Sequence, residues 1–390
     1  MSCIHYNFYT FRPLVDNVSS LVYNRKCKQQ AACFFCASAG ENFTDMAIKD
    51  SILKTLTESR GSYISGEELS ASLDVSRAAV WKAIKTLRDE GYSIEAVTNK
   101  GYRMPPAGDA ITEASIRYAL PPELRSSKCF FYDTIDSTNM QAKRLLLSEE
   151  IQSGSAIFAN HQTAGRGRLG RGFFSPENGI YLSVIIKPDF DISRSVLVTV
   201  AAAAAVAKAV EDVCSQDARI KWVNDIYVDS SKVCGILTEA VTDFESGQIE
   251  SLVIGIGINT STEGFPEELK GIAGAVDLER AAATGNIPAS TNAKSLLAAE
   301  VVRLTVEYTS QIAKASPGEA PAFLDIYREK SMIIGHDIHV FKGTYRADPT
   351  SELNGIPAKA VGIDNDGGLQ VVYENGAEET LTTGEVTIRL

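Results

Sequence analysis

The sequence predicts an α+β multidomain protein: a winged helix-turn-helix over residues 46–106, an α+β unit of enzyme size over 110–330, and a small antiparallel β-barrel over 331–390. Three observations predict it. Helical periodicity ends in a basic helix and a short hairpin before residue 106; strand-like and helical runs then alternate to about residue 330; from Met332 only strand and turn signals remain. The 390 residues suffice for two or three domains of ~100–200 residues each.

Residues 1–45 lack sustained periodicity and are expected to be a disordered extension upstream of a start at Met46, or an artefact of start-codon choice. Arg25, Lys26 and Lys28 before the apolar run ending Ala37-Ser38-Ala39 have the outline of a secretory signal, but the region before them is too long and polar for one. Ile48, Ile52, Leu53 and Leu56 are spaced for one helix face. Ser65 and Glu68 form a capping box that starts a second helix, with Leu69 and Leu73 as its apolar positions. Ser76 caps a third helix to about Glu90, which buries Val80, Ala83, Ile84 and Leu87 and ends at Gly91. The remaining face carries Arg77, Lys82, Lys85 and Arg88, with no acid until Asp89. Tyr92–Val97 alternates as a strand, residues 98–101 turn, and Tyr102-Arg103-Met104 returns, so Lys100 sits on a wing. The third helix would enter the major groove while the wing reaches the phosphates; an inert or protein-docking module is the alternative.

Pro105, Pro106 and Gly108 read as a linker. Strands are expected at Ala156–Ala159, Tyr181–Ile186, Ile220–Trp222, Ile226–Val228, Gly235–Glu239 and Leu252–Ile258, and helices at Asn139–Leu147, Val198–Val213 and Ala293–Ile312. The tail should hold strands at His336–Phe341, Gly355–Asp364, Gly368–Tyr373, Glu378–Leu381 and Val386–Arg389, with hairpin turns at Asn365-Asp366-Gly367-Gly368 and Asn375-Gly376.

Composition narrows the function. No run approaches the ~18–20 apolar residues needed to cross a bilayer, so no membrane partner is expected. Residues 1–45 carry 4 basic and 3 acidic side chains, 46–105 carry 9 and 8, and 106–390 carry 25 and 38. So acidic a body repels nucleic acid, and any DNA contact has to come from residues 46–105. Of seven cysteines, four lie before residue 37, and Cys129, Cys214 and Cys234 are widely spaced; this suits a reducing cytoplasm. Cys33 and Cys36 form a lone CxxC pair, read as incidental thiols rather than a metal or redox site.

The strongest chemical signal is Gly165–Gly172, GRGRLGRG, three arginines among four glycines in an acidic body. Glycines let backbone N–H groups close on a ligand, and arginines present forked cations suited to phosphate. The loop reads as a clamp on an anionic small molecule, the alternative being a loose nucleic-acid contact. Four further segments add polar groups: Asp136-Ser137-Thr138-Asn139 at a helix start, either an anion or carbonyl site or a plain cap; Lys221-Trp222-Val223-Asn224-Asp225 after an apolar strand; Lys232 before Gly235–Glu239; and Gly255-Ile256-Gly257-Ile258-Asn259. The alternating glycines of the last are expected to leave a strand face bare for a flat ligand, and they lack the spacing of a dinucleotide fingerprint.

In this order the segments resemble one family, the bifunctional biotin–protein ligases that also repress the biotin operon. The resemblance covers Met46 to Leu390 and rests on SGEELSASLDVSRAAVWKAIKTLRDEGY, DSTN, QTAGRGRLGRGFFSP, KWVNDIYV, KVCGILTE and GIGIN. It implies a central domain like a class II aminoacyl-tRNA synthetase and a tail like an SH3 barrel. It also implies a two-step acyl transfer: the biotin carboxylate attacks the α-phosphate of ATP with Mg²⁺ present, and a lysine of a biotin carboxyl carrier protein of acetyl-CoA carboxylase then takes biotin from the adenylate. Ser137, Thr138, Asn139 and Gln162 would hold biotin, with Arg166, Gly167, Arg168 and Lys232 along the acyl-adenylate. Gly165, Arg168, Phe173, Lys232 and Arg389 would bind ATP. The expected catalytic set is Lys232, Arg166, Arg168 and Asp225, with Asp225 binding Mg²⁺, orienting the incoming lysine, or serving only a turn. Ser76, Arg77, Lys82, Lys85 and Lys100 would contact operator DNA, with the adenylate as corepressor promoting a homodimer.

Two departures stand out. Phe173 replaces a tryptophan that stacks on adenine in relatives, and Leu169 replaces a frequent arginine. Rival readings are a ligase whose helix-turn-helix lacks an operator, a sensor with a dead ligase core, and a lipoate or octanoate ligase.

Overall fold

The computed structural model describes residues 48–388 except 57–58, 60–61, 90–93, 98–99, 104–109, 149, 243–247, 284–290, 317, 342–354 and 384. The expectations for residues 1–45, the cap at Gly91, the proline linker and Arg389 therefore lie outside the described residues.

Helix α1 (48–56), α2 (Gly66–Ser72) and α3 (Arg77–Asp89) precede a hairpin of β1 (Glu95–Val97) and β2 (Gly101–Arg103), paired antiparallel. Both halves of the Ser65/Glu68 capping box form. Ile52, Leu53, Leu56, Leu69, Val80, Ala83, Ile84, Leu87 and Ile94 make the core of this unit, matching the predicted periodicity. Gly101 has φ +102°, and a β-carbon there would fall 2.1 Å from the Ile64 carbonyl oxygen, so the wing needs glycine at its neck.

The central unit holds α4 (Glu113–Ala119), β3 (Cys129–Ile135), α5 (Thr138–Ser148), β4 (Ala156–Gln162), β5 (Gly179–Ile186), α6 (Ser195–Cys214), β6 (Arg219–Lys221), β7 (Asp225–Val228), β8 (Ser231–Thr242), β9 (Ile249–Asn259), α7 (Leu278–Ala283), α8 (Ala293–Lys314) and α9 (Phe323–Lys330). Its seven strands run β3-β4-β5-β9-β8-β7-β6, with only β3 and β4 parallel. The two faces are covered unequally. Ile180, Leu182 and Val184 alternate inward beneath α6 and α8, whereas Ile157, Ile185 and Val253 on the other face form a smaller cluster with Ala142 and Leu145 of α5 and with Ile151 beyond it. Alanines and valines along α6 are fully buried and admit α8 closely. Though α6 is apolar, no described helix is long and apolar enough to cross a membrane.

Four elements were missed: β3, α4, α7 and α9. Strand β3 is half-buried along most of its length, which erases the period-2 pattern, and the three helices have only six to eight residues.

The tail supplies β10 (Asp337–Phe341), β11 (Ile356–Ile363), β12 (Leu369–Tyr373), β13 (Glu378–Leu381) and β14 (Glu385–Ile388), an antiparallel sheet ordered β13-β12-β11-β10-β14. Both predicted hairpins form, and no ladder joins β13 to β14 among the described residues. Its core is continuous with the central one. Trp222 Nε1 donates to the Gly367 carbonyl at 3.1 Å and Arg328 Nε to that of Ile363 at 3.0 Å, fastening the tail beside the KWVND segment.

Candidate active site

Sheet register builds the site on the face that α5 leaves open. Gly235, Gly257 and Tyr181 form one row across β8, β9 and β5, and Leu237, Gly255 and Ser183 form the next. The bare face expected at the alternating glycines is in fact covered. A β-carbon on Gly255 would fall 2.4 Å from Asn139 Oδ1, and one on Gly257 2.5 Å from the Phe173 ring. The glycines make room for these two side chains, so a flat ligand reaching Gly257 must displace the Phe173 ring, which also meets Tyr181 edge-on at 6.4 Å.

Asn139 is a wall of the cleft more than a donor to it. Its amide donates to the Leu237 carbonyl at 3.2 Å and to Glu239 Oε2 at 2.8 Å, and its oxygen accepts from Ser183 Oγ at 2.7 Å. Lys143 Nζ pairs with Glu239 Oε1 at 2.6 Å. Burial works to raise the Glu239 carboxyl, but hydrogen bonds from Lys143 and Asn139 and the charges of Lys143 and Arg166 outweigh it and hold it below the usual glutamate value. A lowered folded-state value stabilises the protein above the unfolded pKa, and that part is lost as pH falls through the folded one. Glu239→Gln should therefore melt below the wild type near neutral pH, the gap closing as pH falls below the usual glutamate range. Thermal melts across that range check this, and a gap independent of pH would refute it.

At the start of α5 the helix N–H of Thr138 is not free, as donating to Gln162 Oε1 at 2.9 Å occupies it. Gln162 Nε2 in turn donates to Ser175 Oγ at 3.0 Å. The glycine–arginine loop is a tight hairpin. Arg166 bridges to Gly172, Gly167 N–H donates to the Arg171 carbonyl at 2.8 Å, and Phe173 N–H to that of Gly165 at 2.9 Å. Its tip turns at Leu169 and Gly170, both left-handed (φ 56° and 75°). Arg168 Nη1 donates to Asn224 Oδ1 at 3.0 Å, tying the hairpin to KWVND. Across the cleft Lys232 Nζ lies 2.7 Å from Asp225 Oδ1, both side chains only partly exposed.

These groups line one cleft of about 130 Å³, below the ~300–1,000 Å³ usual for small-molecule sites, as the Phe173 ring already fills part of the sheet face. It contains Ser137, Thr138, Asn139, Gln162, Arg166, Gly167, Arg168, Phe173, Asp225 and Lys232 from the predicted set. Gly165 lies behind it, packed against Phe173 and Ser175. Arg171, Asn224 and Leu237 line it too and were not predicted; for Asn224 the signal was its place in a polar run after an apolar strand. No described group of three or more His, Cys, Asp or Glu could hold a metal ion.

In the helix-turn-helix, Arg77, Lys82 and Lys85 are exposed on α3. Arg88, the fourth cation of the predicted row, is exposed as well, while its Nε donates to the Ile94 carbonyl at 2.7 Å. Ser76 Oγ accepts from Ala79 N–H at 3.1 Å, as a cap would. On the wing, Lys100 and Arg103 both face the Tyr63 ring, at 5.8 and 4.7 Å.

Comparison with known proteins decides the family. Residues 131–259 match the Biotin/lipoate A/B protein ligase family, 49–103 an HTH domain, and 354–389 the Biotin protein ligase C terminal domain. The Bifunctional ligase/repressor BirA of Escherichia coli (strain K12) is 30% identical over 332 residues, 84% of this chain and 94% of that one. Its Bacillus subtilis (strain 168) counterpart is 37% identical over 229 residues, 58% and 70% respectively. The chain belongs to the bifunctional biotin ligase/repressor family. Among solved structures, the biotin protein ligase from Aquifex aeolicus in complex with biotin and ATP is similar at a TM-score of 0.50 and 25% identity, over 67% of this chain and 98% of that one. Biotin–ligase family membership thus accounts for the helix-turn-helix, the mixed sheet and the tail together.

Proposed function

We propose that the chain is a biotin–[acetyl-CoA-carboxylase] ligase that also represses biotin genes. One observation carries the ligase reading: hydroxyl and amide groups from α5 and β4 converge with Arg166, Arg168 and Lys232 in a single cleft on the open sheet face. Biotin binds with its head toward Ser137, Thr138 and Gln162. Its carboxylate attacks the α-phosphorus of ATP, the bond to pyrophosphate breaks, and biotinyl-5′-adenylate remains. Two anions have to meet for this, and fixed cations offset the growing charge by about 2.7–4 kcal/mol per donor. Arg166, Arg168 and Lys232 supply them. The ε-amine of a carrier-protein lysine then attacks the acyl carbon, and AMP leaves as the C–O bond breaks. Mg²⁺, when bound, offsets phosphate charge; the lone cleft carboxylate of Asp225 suits a metal carried by the nucleotide with one protein ligand at most. Arg389 is assigned to ATP on the family resemblance alone.

Repression follows when the adenylate favours a homodimer whose two α3 helices span a two-fold operator. Unbiotinylated carrier consumes the adenylate and so relieves it. Labelled biotin, ATP and an apo carrier domain should give labelled carrier, and lipoate or octanoate should not; the reverse preference would overturn the substrate. Duplexes from biotin-gene promoters should bind more tightly with biotin and ATP present, and equal affinity in both conditions would reject the coupling.

A further inference from the structure

Helix α3 carries a feature that phosphate binding leaves unused. Trp81 is 60% exposed on this helix, whereas the chain's other tryptophan, Trp222, is 4% exposed. Arg77, Trp81 and Lys85 stand four residues apart and so form one row along the helix. The row is cation, indole, cation, and Lys85 Nζ lies 5.7 Å from the indole centroid. Lys82 and the exposed Ala78 flank it. The tryptophan stands one helical turn from a cation in each direction, on a helix face whose exposed charges among the described residues are all positive, which favours a polyanion over an apolar protein pocket. The row suits a polyanion that offers an apolar group between its charges. Duplex DNA does so in the major groove, where the thymine C5-methyl is the apolar feature of the base edges. Trp81 also lies in the N-terminal half of α3, the part that meets base edges in helix-turn-helix proteins.

We infer that Trp81 is a specificity-determining residue that reads thymine through its methyl group, while Arg77, Lys82 and Lys85 hold the flanking phosphates. This rests on the DNA-binding reading above and deepens it. Phosphate contacts set position without carrying sequence information, so the indole divides the labour of α3.

The test uses the full chain with biotin and ATP and a pool of random-sequence duplexes enriched on it. The best-bound duplex is then made with thymine or with deoxyuridine, which differs only by the methyl group. Deoxyuridine should weaken wild-type binding about tenfold, within the usual cost of one wrong base pair. Trp81→Ala should weaken binding to the thymine duplex by a similar factor and abolish the difference between the two duplexes, while Trp81→Phe retains part of it. Because Trp222 is buried, acrylamide quenching of tryptophan emission reports mainly on Trp81, and the duplex should shield it. If Trp81→Ala binds the thymine duplex as the wild type does, or keeps the thymine preference, the inference fails and the DNA-binding reading stands. If no duplex is enriched, both fall.

Discussion

Replacing Lys232 by alanine is expected to slow pyrophosphate release from biotin and ATP by about 10²–10³-fold, the usual cost of removing one fixed donor from a developing anion. The residue enters the cleft from the start of β8, with its ammonium 2.7 Å from Asp225 Oδ1. The pair lines the same cleft as the hairpin arginines, so on the proposed reading a triphosphate would meet cations from two separate elements. Truncation removes one of them and also leaves the Asp225 carboxylate facing an incoming polyanion, a like-charge repulsion the wild type lacks. Adding Asp225→Asn separates the two effects. If uncompensated charge contributes, the double variant recovers part of the lost rate, whereas a recovery to near wild type would mean that Lys232 only neutralises Asp225. Circular dichroism and thermal melts should show the fold intact, since the pair lies at a solvent-facing cleft. A rate loss of under about threefold, roughly 0.7 kcal/mol in barrier, would remove Lys232 from the chemistry.

Much of this site was legible because its groups come in short runs tied to element ends. Ser137 and Thr138 open α5, Lys232 opens β8, and the arginines lie in a hairpin whose glycines announce it. What could not be read were partnerships across the sheet. Ser183 and Glu239 are 44 and 100 residues from Asn139, and only the β5-β9-β8 register brings all three together. The glycines of GIGIN misled for the same reason: their spacing shows which strand face lacks side chains but not that Asn139 and Phe173 fill it. Likewise the periodicity of α3 placed Arg88 outside the core without revealing that its guanidinium turns back to Ile94. Elements with a strong one-sided pattern, such as the helices around the Leu69 and Ile84 core, were found at nearly their observed bounds.

Gly165→Ala should lower adenylate formation by more than about 10²-fold while leaving the melting temperature nearly unchanged, because small misplacements of positioning groups cost that much. A β-carbon at this position would lie 2.4 Å from the Phe173 carbonyl oxygen and 2.5 Å from Ser175 Oγ. Neither can yield cheaply. The Phe173 backbone is held by its own N–H bond to the Gly165 carbonyl, and Ser175 Oγ both accepts from Gln162 and donates to the Phe173 carbonyl. The added methyl therefore prises open the neck of the hairpin, shifting together Gln162, proposed to hold biotin, and the arginines, proposed to meet the nucleotide. Overpacking in a close-packed core costs about 1–3 kcal/mol, but a surface hairpin outside the α6–α8 core can relax, so the clash appears as displacement of the loop rather than as lost stability. Gly172→Ala is the control within the same loop, since a β-carbon there meets nothing within 4 Å and its φ is not left-handed. Its loss should be much smaller. Equal losses at both positions would mean that the loop needs glycine for freedom of movement along its whole length rather than for close packing at its neck.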